Sequence, residues 1–595
     1  MNHIVRLSLT ILAFLSTAGA QRFSNLAQID TRNVGRLQVA WTYHTGALEP
    51  TTVLNRKAAF ESTPLLFDGL LYVTTPFNHV IALDPATGAE KWKYDPKVDR
   101  SHDYSEVTNR GVAAWLDSKA KKNAPCRGIV FEGTIDARLL AVDGKSGKLC
   151  YSIDLTKDVD YQHRGDYEVT SAPTVVGDVV ITGSAIGDNG AVDMERGIVR
   201  AYDARNGNLR WTWDPIPWSG SQKPRTGAAN AWSTFAADPA RDLVFIPTGS
   251  ASPDYYGGMR PGDNRYANSV VALRASTGRL VWGFQVVRHD LWDYDVPAQP
   301  TLLEYHGRPA VAVNTKMGNL FVLDRETGKP LTPVQEHAVP KSDIAGEAAS
   351  PTQQIPAWPP LVPQKLTADE AFGPTPEIRE WCRATIASLR NEGMFTPPSL
   401  QGTLVFPGNI GGVNWGGAAW DPRSNLLFAN TNRVAAMVKL IPREQLPAAV
   451  AAARGSDRDI EFGKQTGSPY AMSREWLLSS ERTPCNPPPW GALVAFDLDA
   501  GKVRWQSQIG PLVTLGGPIA TAGGIVFTGA GMDTYFRAFD SATGAELWKA
   551  ELPASAQSIP MTYEFGGKQY VVICAGGHGK LGTKMGDAVV AFTLP

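Results

Sequence analysis

Three observations predict an all-β chain, and more specifically an eight-bladed β-propeller of four-stranded antiparallel blades. A unit of apolar strand, Asp-x-x-x-Gly turn and Trp-bearing strand recurs along the 595 residues, and a second hairpin pattern precedes most copies. The composition favours short strands and tight turns, with 57 Gly, 43 Pro and 17 Trp against only 19% charged residues. Repeats of this kind mark units that cannot bury an apolar face alone and therefore stack on their neighbours. A chain well beyond the ~100–200 residues of an ordinary domain suits such a stack better than a single core.

The chain opens with a secretory leader over residues 1–20. Arg6 supplies the charge, Leu7 to Leu15 is mostly apolar, and Ala18-Gly-Ala20 is a small-residue cleavage site. That apolar run falls short of the ~20 residues of a membrane span, and no other stretch qualifies. Residues 21–595 are therefore expected to form one exported propeller domain, periplasmic or secreted, with no integral membrane span.

Copies of the repeat begin at Val80, Leu140, Val199, Val270, Leu320, Val494 and Arg537. In most of them the first strand ends at an Asp, whose carboxylate can accept hydrogen bonds from the turn backbone. A Gly then supplies positive φ, and the next strand carries a Trp to pack between neighbouring sheets. Hairpins such as Thr63–Val73 and Pro173–Ile181 supply the other two strands of a sheet. The interval Asp324–Asp497 is too long for one repeat. Within it Trp415–Asn430 reads as a further hairpin, giving an eighth blade. The Pro-rich stretches at about 333–398 and 434–489, helical at Thr375–Asn391, read as irregular excursions over one end. Leu37–Tyr43 is a strand without a sheet before it, while Gln569–Ala575 and Ala588–Leu594 lack a Trp strand after them. The N-terminal strand is thus predicted to complete the last blade and close the ring, removing exposed edges.

The five cysteines fit an oxidising compartment. Cys126 precedes a strand and Cys150 ends the hairpin that follows, so a bridge between adjacent strands is expected there. Cys382 and Cys485 are the candidates for a second pair, and Cys574 reads as a buried strand residue.

A net charge of −1 recommends neither nucleic acid nor an anionic membrane as partner. There is no C-x-x-C-H for covalent haem, and G-x-G-x-x-G, H-E-x-x-H and Ser-His-Asp signatures are also absent. What stands out is Arg288-His-Asp-Leu-Trp-Asp-Tyr-Asp-Val-Pro-Ala-Gln-Pro300, too densely charged for an alternating strand and closed to helix by its prolines. Other polar or aromatic residues that interrupt the repeat pattern are Glu61, Arg110, Asp188-Asn189, Trp232, Lys316, Asn414, Asn430 and His578.

With the Trp repeat, the segments Val107–Ala113, His289–Asp293, Phe395-Thr-Pro-Pro-Ser399, Gly402–Asn409, Gly576-Gly-His-Gly579 and Gly582–Asp587 resemble the pyrroloquinoline quinone (PQQ)-dependent dehydrogenases. The resemblance runs over nearly the whole mature chain. It is nearest to the periplasmic domain of membrane-bound quinoprotein glucose dehydrogenase. PQQ is a flat tricarboxylate quinone, so its site needs cations, an aromatic floor, a metal to polarise the reactive carbonyl and a base for the substrate hydroxyl proton. The resemblance implies Trp232 as floor, Arg110 and Lys316 as cationic contacts, and Glu61, Thr170, Asn414 and Asn430 as lining. It implies Asp293 as base, and Asp188, Asn189, Asp293 and Asp295 around Ca²⁺ or Mg²⁺, or a lanthanide. His578 falls at the sugar-binding end.

The expected activity is oxidation of an aldose or polyol, with electrons passed to an external quinone or cytochrome. The alternatives are a primary-alcohol dehydrogenase and a cofactor-free propeller scaffold. Departures from the family pattern bear on the substrate. The vicinal cysteines of the alcohol enzymes fall at Tyr104-Ser105, a glucose-enzyme His falls at Glu106, an Asn metal ligand of the methanol enzyme falls near Ser250-Ala251, and Asn414 replaces a Glu.

Overall fold

The computed structural model describes residues 21–595 apart from 50, 158, 160, 161, 164, 218–224 and 455–457. The expected leader lies outside the described residues. Antiparallel four-stranded sheets follow one another along the chain. The first is Leu65–Phe67, Leu70–Thr74, Val80–Leu83 and Glu90–Tyr94; the second is Ala113–Leu116, Gly128–Gly133, Arg138–Asp143 and Leu149–Asp154. The third runs from Thr174–Val176 to Leu209–Trp213 and the fourth from Ala236–Asp238 to Leu280–Gln285. The fifth, Thr301–Tyr305, Arg308–Asn314 and Leu320–Asp324, has three strands. First strands of successive sheets touch, as Thr174–Val176 does those on either side of it, so the sheets fan out from a common inner edge.

Two sheets correct the expected bookkeeping. Trp415–Asn430 does not found a blade of its own. Its strands, Ala418–Asp421 and Leu426–Asn432, pair with Gly491–Asp497 and Lys502–Gln508 to make the sixth sheet. The long 434–489 excursion is therefore inserted inside a sheet, between its second and third strands. The seventh sheet, Ile519–Thr521 to Glu546–Glu551, gains a fifth, parallel strand from Phe23–Ser24. A terminal sheet joins Met561–Phe565, Lys568–Ala575 and Ala588–Thr593 to the N-terminal strand Gln38–His44.

The repeat motif owes its form to local chemistry. Asp84 Oδ1 accepts from the backbone N–H of Ala86 and Thr87, and Asp143 Oδ1 from Lys145 and Ser146, which fixes the turn. The turn glycines 88, 147, 207, 278, 328, 501 and 544 all have φ between +63° and +76°. Each is also roofed by an aromatic ring from another element. Trp41 covers Gly88, Trp92 covers Gly147, Tyr151 covers Gly207, Trp211 covers Gly278, Trp282 covers Gly328 and Trp505 covers Gly544. The indole N–H of Trp41, Trp92, Trp211, Trp282 and Trp505 donates to a carbonyl of the covered turn at 2.8–3.1 Å. Buried aromatics thus find their polar partner across the sheet interface. The fifth sheet lacks its own Trp strand, and Trp358 of the 333–398 excursion covers Gly501 instead.

The excursions are more ordered than their proline content suggests. The first contains a hairpin, Val334–Ala338 with Thr352–Pro356, and a helix, Pro376–Ser388, with proline in its first turn and Thr375 Oγ1 capping the N–H of Ile378. The second, expected to be irregular, builds a four-stranded sheet of its own. There Ala436–Pro442 and Tyr470–Trp476 pair with each other and with Thr403–Val405 and Glu461–Gly463. The flanking prolines hid an alternating strand, Ala436-Met-Val-Lys-Leu-Ile441. The disulfides are Cys126–Cys150 and Cys382–Cys485, the latter fastening the helix to the end of the second excursion, and Cys574 is buried and free.

The ring-over-glycine contact separates two otherwise similar substitutions. Gly278 and Gly307 have φ of +69° and +73°, but a Cβ at Gly278 would lie 2.6 Å from the Trp211 ring whereas one at Gly307 meets nothing within 4 Å. Gly307→Ala should cost about 1–2 kcal/mol, the left-handed penalty alone. Gly278→Ala should cost at least about twice that, because the ring must also move. Urea midpoints of the two variants measure the difference.

Candidate active site

The Arg288–Pro300 loop is shaped by its own acidic residue. Asp290 accepts from the backbone N–H of Trp292 (3.2 Å) and Tyr294 (3.0 Å), winding a tight turn that places Asp293 at φ +59°. A non-glycine residue in that region is costly, although Asp tolerates it better than most, and such strain concentrates at functional positions. The first excursion clamps the loop from outside. His289 Nε2 meets Glu347 (2.8 Å), Arg288 forks onto Glu336 (2.7 and 2.8 Å), and Trp292 Nε1 donates to the Thr396 carbonyl (2.8 Å). Phe395 stands edge-on to Trp292.

Asp293 is buried at the centre of a charge cluster. Lys316 Nζ donates to Asp293 Oδ1 (2.8 Å), to its carbonyl (2.7 Å) and to Asp295 Oδ2 (3.2 Å). Arg474 donates to Asp293 Oδ2 (2.8 Å). Burial outweighs the pull of Lys316 and raises the Asp293 pKa, while Asp293 and Asp295 outweigh burial at Lys316 and keep it charged. The loop Gly408–Trp415 packs on the Lys316 backbone; a Cβ at Gly411, φ +81°, would lie 2.6 Å from Lys316 Cβ.

One oxygen each of Asp188, Asp254 and Asp293 lie within 4.8 Å of one another. Both oxygens of Asp254 are buried without a hydrogen-bond partner. Burial, then mutual repulsion, pushes Asp188 and Asp254 well above the ordinary carboxylate range. Unpaired buried carboxylates are costly, and hard oxygen donors so arranged suit a Ca²⁺-like ion. Of the expected quartet Asp188, Asn189, Asp293 and Asp295, two belong to this trio. Asp295 stands outside the trio, its oxygens taken by Ser250 N–H (2.7 Å), Ser250 Oγ (3.0 Å), Trp232 Nε1 (3.1 Å) and Lys316. Asn189 uses its backbone carbonyl to hold Gln465 N–H of the second excursion.

On the other side, Arg110 lies between two indoles, 5.2 Å from the Trp232 ring and 5.1 Å from that of Trp415. It donates to Thr170 Oγ1 (2.8 Å) and pairs with Glu61 (2.9 Å), and its Nε is buried without a partner. His578 Nε2 approaches Glu61 at 3.8 Å, and Lys580 and Glu106 stand beside them, 3.5 Å apart. Burial lowers the His578 pKa to about 4. The loop after His578 also lines an open cavity of about 600 Å³ with Thr51, Asn55 and Arg56.

Asn414 and Asn430 both have partners within the chain. Asn414 closes its own turn, bonding the Ile410 carbonyl and Trp415 N–H, and Asn430 ties the sixth sheet to Gly516 and Thr528 of the seventh, leaving its Oδ1 buried and unpaired. The residues that the sequence left unmarked are Asp254, Tyr255, Trp415 and Arg474. Asp254 sits in Ser-Pro-Asp-Tyr-Tyr, which reads as a surface turn, and Arg474 in an excursion taken for irregular. For Trp415 alone there was a signal: like Trp232, it lies outside the repeat.

Glu61 gives this site a pH signature. Burial, against the pull of Arg110, raises its pKa from 4.5 to about 7. A raised folded pKa stabilises the protein fully below the unfolded value of 4.5, and that stability is lost as pH rises through about 7. Glu61→Gln should therefore flatten the fall in urea midpoint between roughly pH 5 and 8; parallel unfolding series at both pH values measure it.

Comparison with known proteins agrees with this geometry. Residues 13–571 match the family described as PQQ: Glucose/ethanol/alcohol dehydrogenase, beta-propeller domain. Quinoprotein glucose dehydrogenase A of Acinetobacter calcoaceticus is 38% identical, over 98% of this chain and 79% of its own length. Quinate/shikimate dehydrogenase (quinone) of Acinetobacter baylyi is 36% identical over 97% and 78%. The glycerol dehydrogenase large subunit of Gluconobacter oxydans is 34% identical over 96% and 84%. Among solved structures, the quinohemoprotein alcohol dehydrogenase ADHIIG of Pseudomonas putida superposes with a TM-score of 0.71 at 27% identity, covering 96% of this chain and 78% of that one. By sequence and fold, the chain belongs to the PQQ-dependent dehydrogenase family of β-propeller proteins.

Proposed function

We propose that this chain oxidises a hydroxyl of a sugar or polyol, with PQQ as cofactor and Asp293 as the base that takes the hydroxyl proton. The observation that carries this is the trio of half-buried Asp188 with buried Asp254 and Asp293, Asp254 partnerless, set beside Lys316 and the Arg110 guanidinium flanked by Trp232 and Trp415. A flat tricarboxylate fits such a site: Trp232 and Trp415 offer indole faces, and Arg110, with its unpaired Nε, and Lys316 offer the cations. The three carboxylates would hold Ca²⁺ or Mg²⁺, and their triple charge suits a lanthanide as well. When bound, these groups supply a polarised quinone carbonyl that accepts hydride from the substrate carbon.

The chain's own residues do the rest. Asp293, with its raised pKa, binds a proton more readily than a surface carboxylate, as a base working near neutrality must. Lys316 holds Asp293 through its carboxylate and its backbone carbonyl, and is itself held by Asp295. Ser250 fixes both Asp290 and Asp295, so the loop's acids share one anchor. Glu61 and His578, polar and adjacent at the far side, suit the several hydroxyls of a polyol. That the curated relatives are named for glucose, quinate and glycerol supports the same class. A primary-alcohol substrate is the second reading, favoured by the likeness to the alcohol dehydrogenase. A cofactor-free scaffold would bury this cluster at a desolvation cost with no return.

The same reading takes Gln21 onward as one domain of eight blades, closed by Gln38–His44 and sealed by Trp41 over Gly88. It places the protein in the periplasm or outside the cell after leader removal, in keeping with two disulfides. No helix among the described residues is long and apolar enough to cross a membrane, and electrons would pass to an external quinone or cytochrome.

Reconstitution with PQQ and Ca²⁺ should yield dye reduction with aldoses or polyols ahead of primary alcohols. No activity on any of them, with no PQQ absorbance retained, removes the enzyme reading. Asp293→Asn should lower kcat by about 10²–10⁴-fold while PQQ absorbance on the protein persists, and near-normal turnover would remove Asp293 as base.

A further inference from the structure

Arg474 makes a contact that proton abstraction does not require. It comes from Tyr470–Trp476 of the second excursion's sheet. One guanidinium nitrogen donates to Asp293 Oδ2 (2.8 Å) and to the Tyr255 hydroxyl (3.0 Å), while the others fork onto Glu461 (2.8 and 2.9 Å) of the neighbouring strand. Asp293 thus carries a cation of the chain on each oxygen, Lys316 on Oδ1 and Arg474 on Oδ2. Tyr255 follows Asp254, so Arg474 bonds one of the three carboxylates that would hold the metal and the residue next to a second.

We propose that Arg474 is a displaceable counter-cation of this site: metal and guanidinium compete for Asp293, and metal loading draws the Arg474 side chain off the carboxylate together with Glu461 and the edge strand that carries it. The inference rests on the metal reading above. Like charges sharing one buried carboxylate repel strongly, so one of the chain's two cations should yield. Lys316 is poorly placed to do so. Its ammonium makes all its bonds to Asp293 and Asp295, and withdrawal would leave a buried charge unpaired. Arg474 keeps Glu461 wherever it moves, and Glu461 is largely exposed, with a side chain 58% accessible.

The connection to the ligand trio is also direct. Gln465 N–H donates to the Asn189 carbonyl and Val192 N–H to the Thr466 carbonyl, so the excursion is hydrogen-bonded to the very turn that presents Asp188. Glu461–Gly463 pairs only with the excursion's own strand Tyr470–Trp476. Tyr470–Trp476 is anchored, pairing also with Ala436–Pro442 and burying Met472 in the core of the fourth and fifth sheets, so the movement falls to the Arg474 side chain and the edge strand Glu461–Gly463.

The test uses the full mature chain, stripped with chelator, and metal alone. Ca²⁺ titration calorimetry, checked by Tb³⁺ luminescence excited through tryptophan, should show Arg474→Gln binding about tenfold more tightly than the parent, with Arg474→Lys between them. In the parent, Ca²⁺ should speed amide hydrogen exchange across the edge strand Glu461–Gly463. Equal or weaker binding by Arg474→Gln, with exchange in the parent unchanged by Ca²⁺, overturns the proposal. Should Arg474→Gln lose its near-ultraviolet circular dichroism, the exchange result in the parent decides alone. Absence of Ca²⁺ and Tb³⁺ binding in the parent, indistinguishable from Asp254→Asn, overturns the metal reading and this inference with it.

Discussion

An aromatic ring laid over a left-handed glycine is the contact on which the architecture depends. Wherever it occurs, a Trp or Tyr from one element covers the turn of the next and, in most cases, bonds its carbonyl. The contact sets the angle and distance between adjacent sheets, because the ring fits only where no Cβ exists. It also explains why the chain can lack a Trp strand in its fifth sheet. Trp358, on an excursion, takes the same place over Gly501 and packs on Phe496 of the sixth sheet. The excursion is thereby part of the frame as well as the clamp on the Arg288–Pro300 loop.

That frame brings together side chains that are remote in sequence. Glu61 and His578 are neighbours, as are Asp293 and Arg474. Glu61, His578 and Asp293 come from loops where the repeat is interrupted, and Arg474 from a strand of the second excursion. Tightly packed sheets can hold such residues in positions that are individually unfavourable: Asp293 at positive φ, Asp254 without a donor, Glu61 buried beside its arginine. These are local departures from stability that the packed sheets absorb.

The division between what could and could not be read from the sequence follows the range of the interactions. The repeat was legible because its cause is local: an Asp bonding its own turn, a Gly with positive φ, a Trp a few residues on. Asp293, Lys316, Arg110 and Trp232 were legible through family resemblance, and the structure does bring them together. Asp254 and Arg474 were not. Their significance lies in partners some 40 and 180 residues away, Asp293 in both cases, and nothing in Ser-Pro-Asp-Tyr or Met-Ser-Arg-Glu announces it. The blade assignment of Trp415–Asn430 failed for a similar reason. A hairpin pattern declares two strands but not which later strands complete the sheet, and an insertion of more than fifty residues separated the halves.

Electrostatics then links frame to chemistry. Asp188, Asp254, Asp290, Asp293 and Asp295 crowd into a buried region where the chain's nearest cations are Lys316, Arg474 and Arg260. Asp290 and Asp295 are stabilised by donors from Ser250 and the loop backbone. Asp293 is met by Lys316 and Arg474, whereas Asp254 has no hydrogen-bond donor on either oxygen. A stable fold with no further partner would have replaced or paired that carboxylate, since an unpaired buried charge is among the most expensive features a core can carry. Its retention beside Asp293, itself in a strained turn, is the local cost that the proposed cation site would offset.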